Sequence, residues 1–213
     1  EDLAATDKQI KTIDKRVFER LKLQAKMQSK AKQEEAIPFE VLKNIELGLG
    51  LSSLPSKSDL DIYFDIESNP LLTKIPLHYL WGAAHEDNDE GFNCWWAHSE
   101  EEMKLAFEAF MDWTYSRWKK DKSMHVYHYG QFEITAMRTL MGHFGTREKE
   151  VDDLLRNEVF VDLYRVVKQS LCVGTSGYGL KAIEPLFREE RENKVVSGLD
   201  STVVYEVWSS ERG

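Results

Sequence analysis

The sequence predicts an α/β domain with a mixed five-stranded sheet. A three-strand antiparallel meander plus two parallel strands would be flanked by helices and preceded by a helical N-terminal extension. Three observations predict it. Short apolar, β-branched and aromatic runs alternate with helical stripes in the order three strands, helix, strand, helix, strand, helix. Acidic residues recur at or just past the ends of those strands. A tract of turn formers separates the first helical pattern from the first strand.

In chain order, residues 6 to 35 read as a long amphipathic helix. Thr6-Asp7-Lys8-Gln9 fits a capping box at its start. Ile10, Ile13, Val17, Leu21 and Ala25 recur on one stripe that needs a partner surface, while Lys8, Lys11, Lys15, Lys22, Lys26 and Lys30 crowd the remainder. Residues 48–58 lose that pattern and read as a linker, which divides the chain into an extension (1–58) and a compact domain (59–213).

The compact domain opens with Asp61-Ile62-Tyr63-Phe64-Asp65-Ile66-Glu67, an alternating strand. Strands at 77–85 and 92–97 follow, with Glu86 to Gly91 as the turn between them. Ser99-Glu100-Glu101-Glu102 is a second capping box, and its acids suit the positive end of the helix dipole. The helix it starts places Met103, Phe107, Phe110, Met111, Thr114 and Trp118 on one side, which is core packing. A fourth strand fits 124–129, helices fit 131–143 and 147–157, and a fifth strand fits 159–163. More helix surrounds the glycine-rich turn from Gly174 to Gly179.

Composition narrows the function. The chain is 42% apolar and 31% charged, as expected for a soluble globular protein. No apolar run approaches the roughly 18 to 20 residues that cross a bilayer, and no signal-peptide pattern opens the chain. Cys94 and Cys172 lie far apart without metal-binding spacing, so a reducing, cytoplasmic setting is expected. A net charge of −9 argues against a protein that grips nucleic acid over its whole surface. A local basic groove remains open to it, with Lys119, Lys120, Lys122, Arg188 and Arg191 as the available cations.

The chemistry concentrates in four acids. Asp65 and Glu67, two apart on a strand, share one face about 7 Å from each other, and Ile62, Phe64 and Ile66 take the other. Two carboxylates so close resist burial unless a cation neutralises them, and an oxygen-rich site suits Mg²⁺ or Mn²⁺. Gly130 fits a tight strand-to-helix turn that puts Glu133 in the first helical turn, over the end of the neighbouring strand. Asp162 ends the last apolar strand. Acids gathered at parallel strand ends stand where an open α/β sheet places its ligands. Other motifs read as structural. His125 and His128 fall on opposite faces of a strand and cannot share an ion. The glycine-rich turn lacks the Lys-Ser/Thr of a phosphate loop, and Lys181 just beyond it reads equally as a contact to a backbone phosphate or as a surface salt bridge. Trp81, Trp95 and Trp96 read mainly as core, with base stacking as the alternative and with Trp95 and Trp96 pointing to opposite sides.

Four blocks carry a resemblance: Tyr63-Phe64-Asp65-Ile66-Glu67, His128-Tyr129-Gly130-Gln131-Phe132-Glu133, Phe160-Val161-Asp162-Leu163, and Gly177 through Glu184. In this order they resemble the YprB-type ribonuclease H-like domain of RecB-family nucleases, a branch of the DEDD exonuclease superfamily, from about residue 45 onward. The resemblance implies 3′-to-5′ hydrolysis of phosphodiester bonds by two metals, Mg²⁺ or Mn²⁺, ~4 Å apart. It implies Asp65 as the bridging ligand, with Glu67 and Glu133 completing the metal set. Asp162 would be an outer catalytic acid, and Gln131 and Lys181 would be substrate contacts. It implies nucleic acid as partner, DNA ahead of RNA, and a fused or associated helicase or PD-(D/E)xK nuclease module, for which the first helix would be the connector. The alternative is a non-catalytic module of the same fold that positions nucleic acid or a partner. One departure stands out: no Tyr-x-x-x-Asp or His-x-x-x-Asp pattern follows residue 184. The closing helix is therefore expected beyond Gly213, with Asp200 or Glu206 as the acids left to substitute.

Overall fold

The computed structural model describes residues 2–6, 8, 11–34, 36–43, 46–70, 75–86, 91–187 and 198–211. Asp7, Gln9 and Ile10 of the first expected cap and stripe, positions 87–90 of the expected turn, and Arg188 and Arg191 lie outside the described residues. The chain divides into two compact units, each discontinuous in sequence. The first comprises Glu1–Leu54 and Tyr164–Glu190, the second Pro55–Leu163 and Arg191–Gly213. The break at Leu54 falls inside the expected linker. The return of 164–190 to the first unit is a long-range pairing that no local pattern announces.

The described elements are, in order, α1 (Asp2–Ala5), α2 (Lys15–Ala31), β1 (Phe39–Val41), β2 (Ile62–Asn69), β3 (Leu77–Ala84), β4 (Phe92–Trp96), α3 (Glu100–Lys120), β5 (Val126–His128), α4 (Phe132–Phe144), α5 (Glu148–Arg156), β6 (Phe160–Asp162), α6 (Leu163–Ser170), β7 (Leu171–Val173), α7 (Leu180–Ile183) and α8 (Gly198–Ser210).

The second unit is built on a five-stranded sheet of order β4-β3-β2-β5-β6. Strands β2, β3 and β4 form the antiparallel meander, and β5 and β6 add in parallel, as the element order predicted. Ile62, Phe64 and Ile66 all turn inward, and Phe64 stacks on Phe110 of α3 with ring centroids 4.1 Å apart. Trp81 is fully buried between Phe64 and Phe107. Each such side chain contributes about 1.5–3 kcal/mol by leaving water, which holds β2 flat against α3 and aims its other face outward. Asp61 fixes the start of β2, accepting from the Ser58 N–H at 3.0 Å and the His125 N–H at 2.7 Å. At the start of α3 the Ser99 hydroxyl accepts from the Glu102 N–H, while the Glu102 carboxylate returns to the His98 N–H instead of Ser99.

In the first unit the N-terminal helix is shorter than the sequence pattern suggests. Its cap is Asp14, whose carboxylate accepts from the N–H groups of Arg16 and Val17. Thr6 accepts instead from the Lys8 N–H, within a separate segment. The apolar stripe is also not the buried face: Val17 and Leu21 remain exposed, and Phe18 and Met27 are buried. The reason is polar. Arg20, Gln24 and Gln28, four apart on one face, donate to the carbonyls of Lys168 and Leu171, of Val173, and of Thr175. Satisfying that backbone outweighs burying two aliphatic side chains. The expected linker is likewise partly ordered, with a 3₁₀ turn at Gly50–Ser53 whose Leu51 N–H donates to Ser170 Oγ. Strands β1 and β7 pair antiparallel here.

Gly174 sits where no side chain fits. A Cβ at this position would lie 2.8 Å from both Ala31 Cβ and Pro38 Cγ, and 2.9 Å from the Met27 carbonyl oxygen. Gly174→Ala is expected to cost about 1–3 kcal/mol by overpacking, measured by urea denaturation. An unchanged midpoint would show that α2 gives way without cost.

Candidate functional site

Strand β2 delivers two acids to one face. Tyr63, Asp65 and Glu67 alternate with the buried Ile62, Phe64 and Ile66, so the carboxylates emerge on the face away from α3. Parallel register then adds the others. Tyr63 stands beside Tyr127, Tyr127 beside Val161, and His128 beside Asp162. Strands β5 and β6 therefore end together beside the middle of β2, which runs on to Asn69. Asp65 and Glu67 thus lie within β2 and not at its end as the sequence suggests, and the loops after β5 and β6 bring the other polar groups to them.

Glu133 reaches this place through a clamped turn. Gly130 adopts φ 103°, a left-handed conformation that favours glycine. The Asp162 carboxylate accepts from the Gly130 N–H and from the Gln131 side-chain amide, both at 2.9 Å. That clamp sets the entry of α4, whose second residue is Glu133. Glu133 is only 3% exposed. Its Oε2 has no hydrogen-bond partner among the described residues, and the equally buried His128 Nδ1 stands 3.5 Å away, short of a hydrogen bond.

The three carboxylates feel one another. Burial first, then the Glu133 and Glu67 charges, push the Asp65 carboxyl up to about 6. Asp65 still reaches solvent on its open face, so water screens part of this repulsion. Among the described residues, no three acid, histidine or cysteine side chains already form a ready-made metal cage. The donor set nonetheless fits a hard cation: three carboxylates held together at a cost in repulsion, one of them with a buried oxygen lacking a partner.

The C-terminal segment, expected to lack a closing helix, forms α8 and packs on β2. A β-bulge makes this possible. Glu67 pairs with Leu80 but Ser68 pairs with His78, leaving Tyr79 as the extra residue. The Tyr79 ring stacks on Tyr205 of α8 at 4.0 Å and 8°, and its hydroxyl meets Ser201 at 2.6 Å. Thr202 donates to the Ser68 carbonyl, and Asn69 donates to Glu206. Glu206 is thus engaged at the far end of β2, whereas Asp200 lies in the first turn of α8. That turn borders a cleft of about 550 Å³ with Glu67, Ile66 and Phe132 among its walls.

Sequence reasoning singled out Asp65, Glu67, Glu133, Gln131 and Asp162, and all five stand at this sheet end. Lys181 lies on α7, in the first unit. Lys119 and Lys122 sit over the rings of Tyr115 and Trp118. Three residues were missed. His128 reads in sequence as an ordinary strand histidine, although a Glu five residues on across a glycine turn signals their meeting. Phe132 reads as one more apolar helix residue, and Tyr79 faces the site only because of the bulge.

With this geometry in view, comparison with known proteins defines the class. The RNase_H_2 family model of the RNase_H superfamily matches residues 62–212, and the chain belongs to that superfamily. Neither the curated proteins nor the solved structures compared with it gave a match. Membership makes this a ribonuclease H-like, nuclease-like module, a class whose nucleases generally use divalent metals and bind nucleic acid. No helix among the described residues is long and apolar enough to cross a membrane.

The crowded acids make stability depend on pH in a definite sense. Asp65 binds its proton more tightly when folded, so its neutral form favours the fold below its ordinary pKa of 3.8, and stability is lost as pH rises through about 6. His78 acts oppositely. Burial lowers it to about 4, so stability is present above its ordinary 6.5 and lost as pH falls through about 4. Asp65→Asn isolates the first effect: without metal it should melt higher than the parent above about pH 6 and match it near pH 4, as measured by thermal melts across pH. A constant offset at every pH would remove the buried, crowded carboxylate charge as the cause.

Proposed function

We propose that the chain is a metal-dependent nuclease domain of the YprB-type, DEDD-like branch, hydrolysing phosphodiester bonds of DNA or RNA as a 3′-to-5′ exonuclease. One observation carries this reading: Asp65, Glu67 and Glu133 are forced together where β5 and β6 end beside β2, and Glu133 keeps a buried oxygen with no hydrogen-bond partner among the described residues. Such repulsion persists where a bound cation relieves it. Asp65, Glu67 and Glu133 would hold Mg²⁺ or Mn²⁺, with Asp200 from the first turn of α8 as the closing acid in place of the absent Tyr/His-x-x-x-Asp pattern. When bound, the metal supplies charge neutralisation for the phosphate and a more acidic water.

The remaining roles belong to the chain itself. Asp162 is a positioning residue: it holds the Gly130–Gln131 turn and so the angle of Glu133. His128 shields the inner side of Glu133. The cleft walled by Ile66, Phe132 and Leu199 has the size and apolar character to take one terminal nucleoside, which favours action at chain ends over internal cutting. A helicase or PD-(D/E)xK nuclease module, fused or associated, fits the resemblance as a partner. A second reading, a non-catalytic module that positions nucleic acid, draws support from the lack of a ready-made cage among the described residues.

End-labelled single strands with Mn²⁺ decide between them. The parent should shorten the strand stepwise, Asp65→Ala and Glu67→Ala should abolish this, and Asp162→Asn should slow it roughly 10- to 100-fold. Activity surviving both alanine variants would defeat the catalytic assignment. Millimolar Mn²⁺ should also raise the melting temperature by several degrees, because a ligand bound to the native state alone stabilises it. No shift would favour the non-catalytic module.

A further inference from the structure

The face of the sheet that carries the acids does not stop at β2. Asp65 pairs with Gly82, which pairs with Cys94 on β4, and Glu67 pairs with Leu80, which pairs with Trp96. One step back, Tyr63 pairs with Ala84 and Ala84 with Phe92. Paired residues point to the same face, so β2, β3 and β4 present one continuous surface on which the acids sit among aromatic rings. That surface is open at its aromatic members: Tyr63 is 45% exposed, Phe92 52% and Trp96 52%. Beside Asp65 and Tyr63 the middle strand contributes almost no bulk, since its residues there are Gly82 and Ala84, while Leu80 fills the row between Glu67 and Trp96. Phe92 leans into the gap, its ring tip 3.2 Å from where a Gly82 Cβ would lie, directly beside the Asp65 row.

These rings are held, not loose. Tyr63 stacks on Tyr127 at 5.3 Å and 20°, and Trp96 stacks on His98 at 6.1 Å and 27°. Phe92 belongs to the strand at the free edge of the sheet. Lys57, paired with Glu86, lies within electrostatic reach of Tyr63 and adds a cation at the rim. A protein core turned outward would be aliphatic and continuous. This surface has flat rings on its two outer strands, whose backbones run about 10 Å apart or two strand spacings, on either side of Gly82 and Ala84. It leads straight to the carboxylates and the cleft beyond them.

We propose that this open face is a stacking platform for single-stranded nucleic acid, along which the strand runs to or from the acid cluster. Bases would lie on Phe92 and Trp96, with Tyr63 supporting the nucleotide nearest Asp65 and Lys57 meeting a phosphate. The occupant is single-stranded because a duplex hides the flat faces of its bases and offers nothing to the rings. The proposal rests on the nucleic-acid reading above and extends it by several nucleotides.

The test is fluorescence anisotropy with a labelled 12-nucleotide oligothymidylate and a 12-base-pair duplex, in Ca²⁺ so that the acids are neutralised. Phe92→Ala and Trp96→Ala should each weaken single-strand binding roughly 5- to 100-fold, the range of one lost base stack. Phe92→Trp should retain binding, whereas Phe92→Leu, which keeps apolar bulk without a flat ring, should lose most of it. Melting temperatures of the four variants report folding separately. Unchanged binding in Phe92→Ala and Trp96→Ala overturns the platform, as does a duplex bound as tightly as the single strand. Concentration-dependent self-association that Phe92→Ala abolishes, without an effect on the oligonucleotide, overturns it in favour of a second copy of the chain. The two readings fail separately. If Asp65→Ala ends hydrolysis while Phe92→Ala binds normally, the nuclease stands and the platform falls. If binding needs Phe92 but Mn²⁺ elicits no hydrolysis, the reverse holds.

Discussion

Like charge held at close quarters is the constraint that organises the second unit. Asp65, Glu67 and Glu133 repel one another, and burial together with the Glu133 and Glu67 charges pushes the Asp65 carboxyl up to about 6. A relaxed sheet end would let them drift apart. Here the apolar underside of β2 packs on Phe110 through Phe64, the Asp162 clamp fixes the turn before Glu133, and α8 closes the far end of the strand. Each of these stabilises the fold while forcing the carboxylates to stay together. A structure that spends stability in this way at one spot commonly does so for chemistry.

The bulge at Tyr79 links that constraint to the C-terminal helix. One extra residue in β3 places an aromatic ring on the acid side of the sheet, where it stacks on Tyr205. Without it, α8 would meet β2 through Thr202 and Glu206. The stack sets the first turn of α8 beside Glu67, and the cleft follows from that placement. The sheet thus has a covered half at the end of β2 and an open half with Tyr63 and Phe92, with Asp65 at the boundary.

Much of this architecture is legible in the residues. Alternation over 62–67 predicts which side chains go inward, because a strand has a period of two whatever surrounds it. The Gly130–Glu133 spacing predicts the strand-to-helix turn, since only a glycine accepts that φ cheaply. Illegible features share a cause, a partner distant in sequence. The stripe Val17 and Leu21 looked buried, yet Arg20, Gln24 and Gln28 determine the face of α2 because carbonyls some 150 residues away need donors. His128 looked ordinary until a helix turned Glu133 back onto it. Residues 198–210 looked unlike a closing helix because the expected motif is missing, and burial of Tyr205 decides otherwise.

Local pattern was not enough for the pairing of β1 with β7, but it was enough for the order of strands and helices around the five-stranded sheet, for the inward and outward faces of β2 and for Asp65, Glu67, Glu133 and Asp162 as candidate acids. Those follow from local periodicity and backbone chemistry, which act over a few residues. Long-range pairing and packing were needed to show that Asp162 orients a turn, that Tyr79 carries α8, that 164–190 belongs with the N-terminal unit, and that Phe92 and Trp96 share a face with Asp65 and Glu67. Each depends on register between segments far apart in the chain, and register is set by packing and pairing that no short window of residues contains.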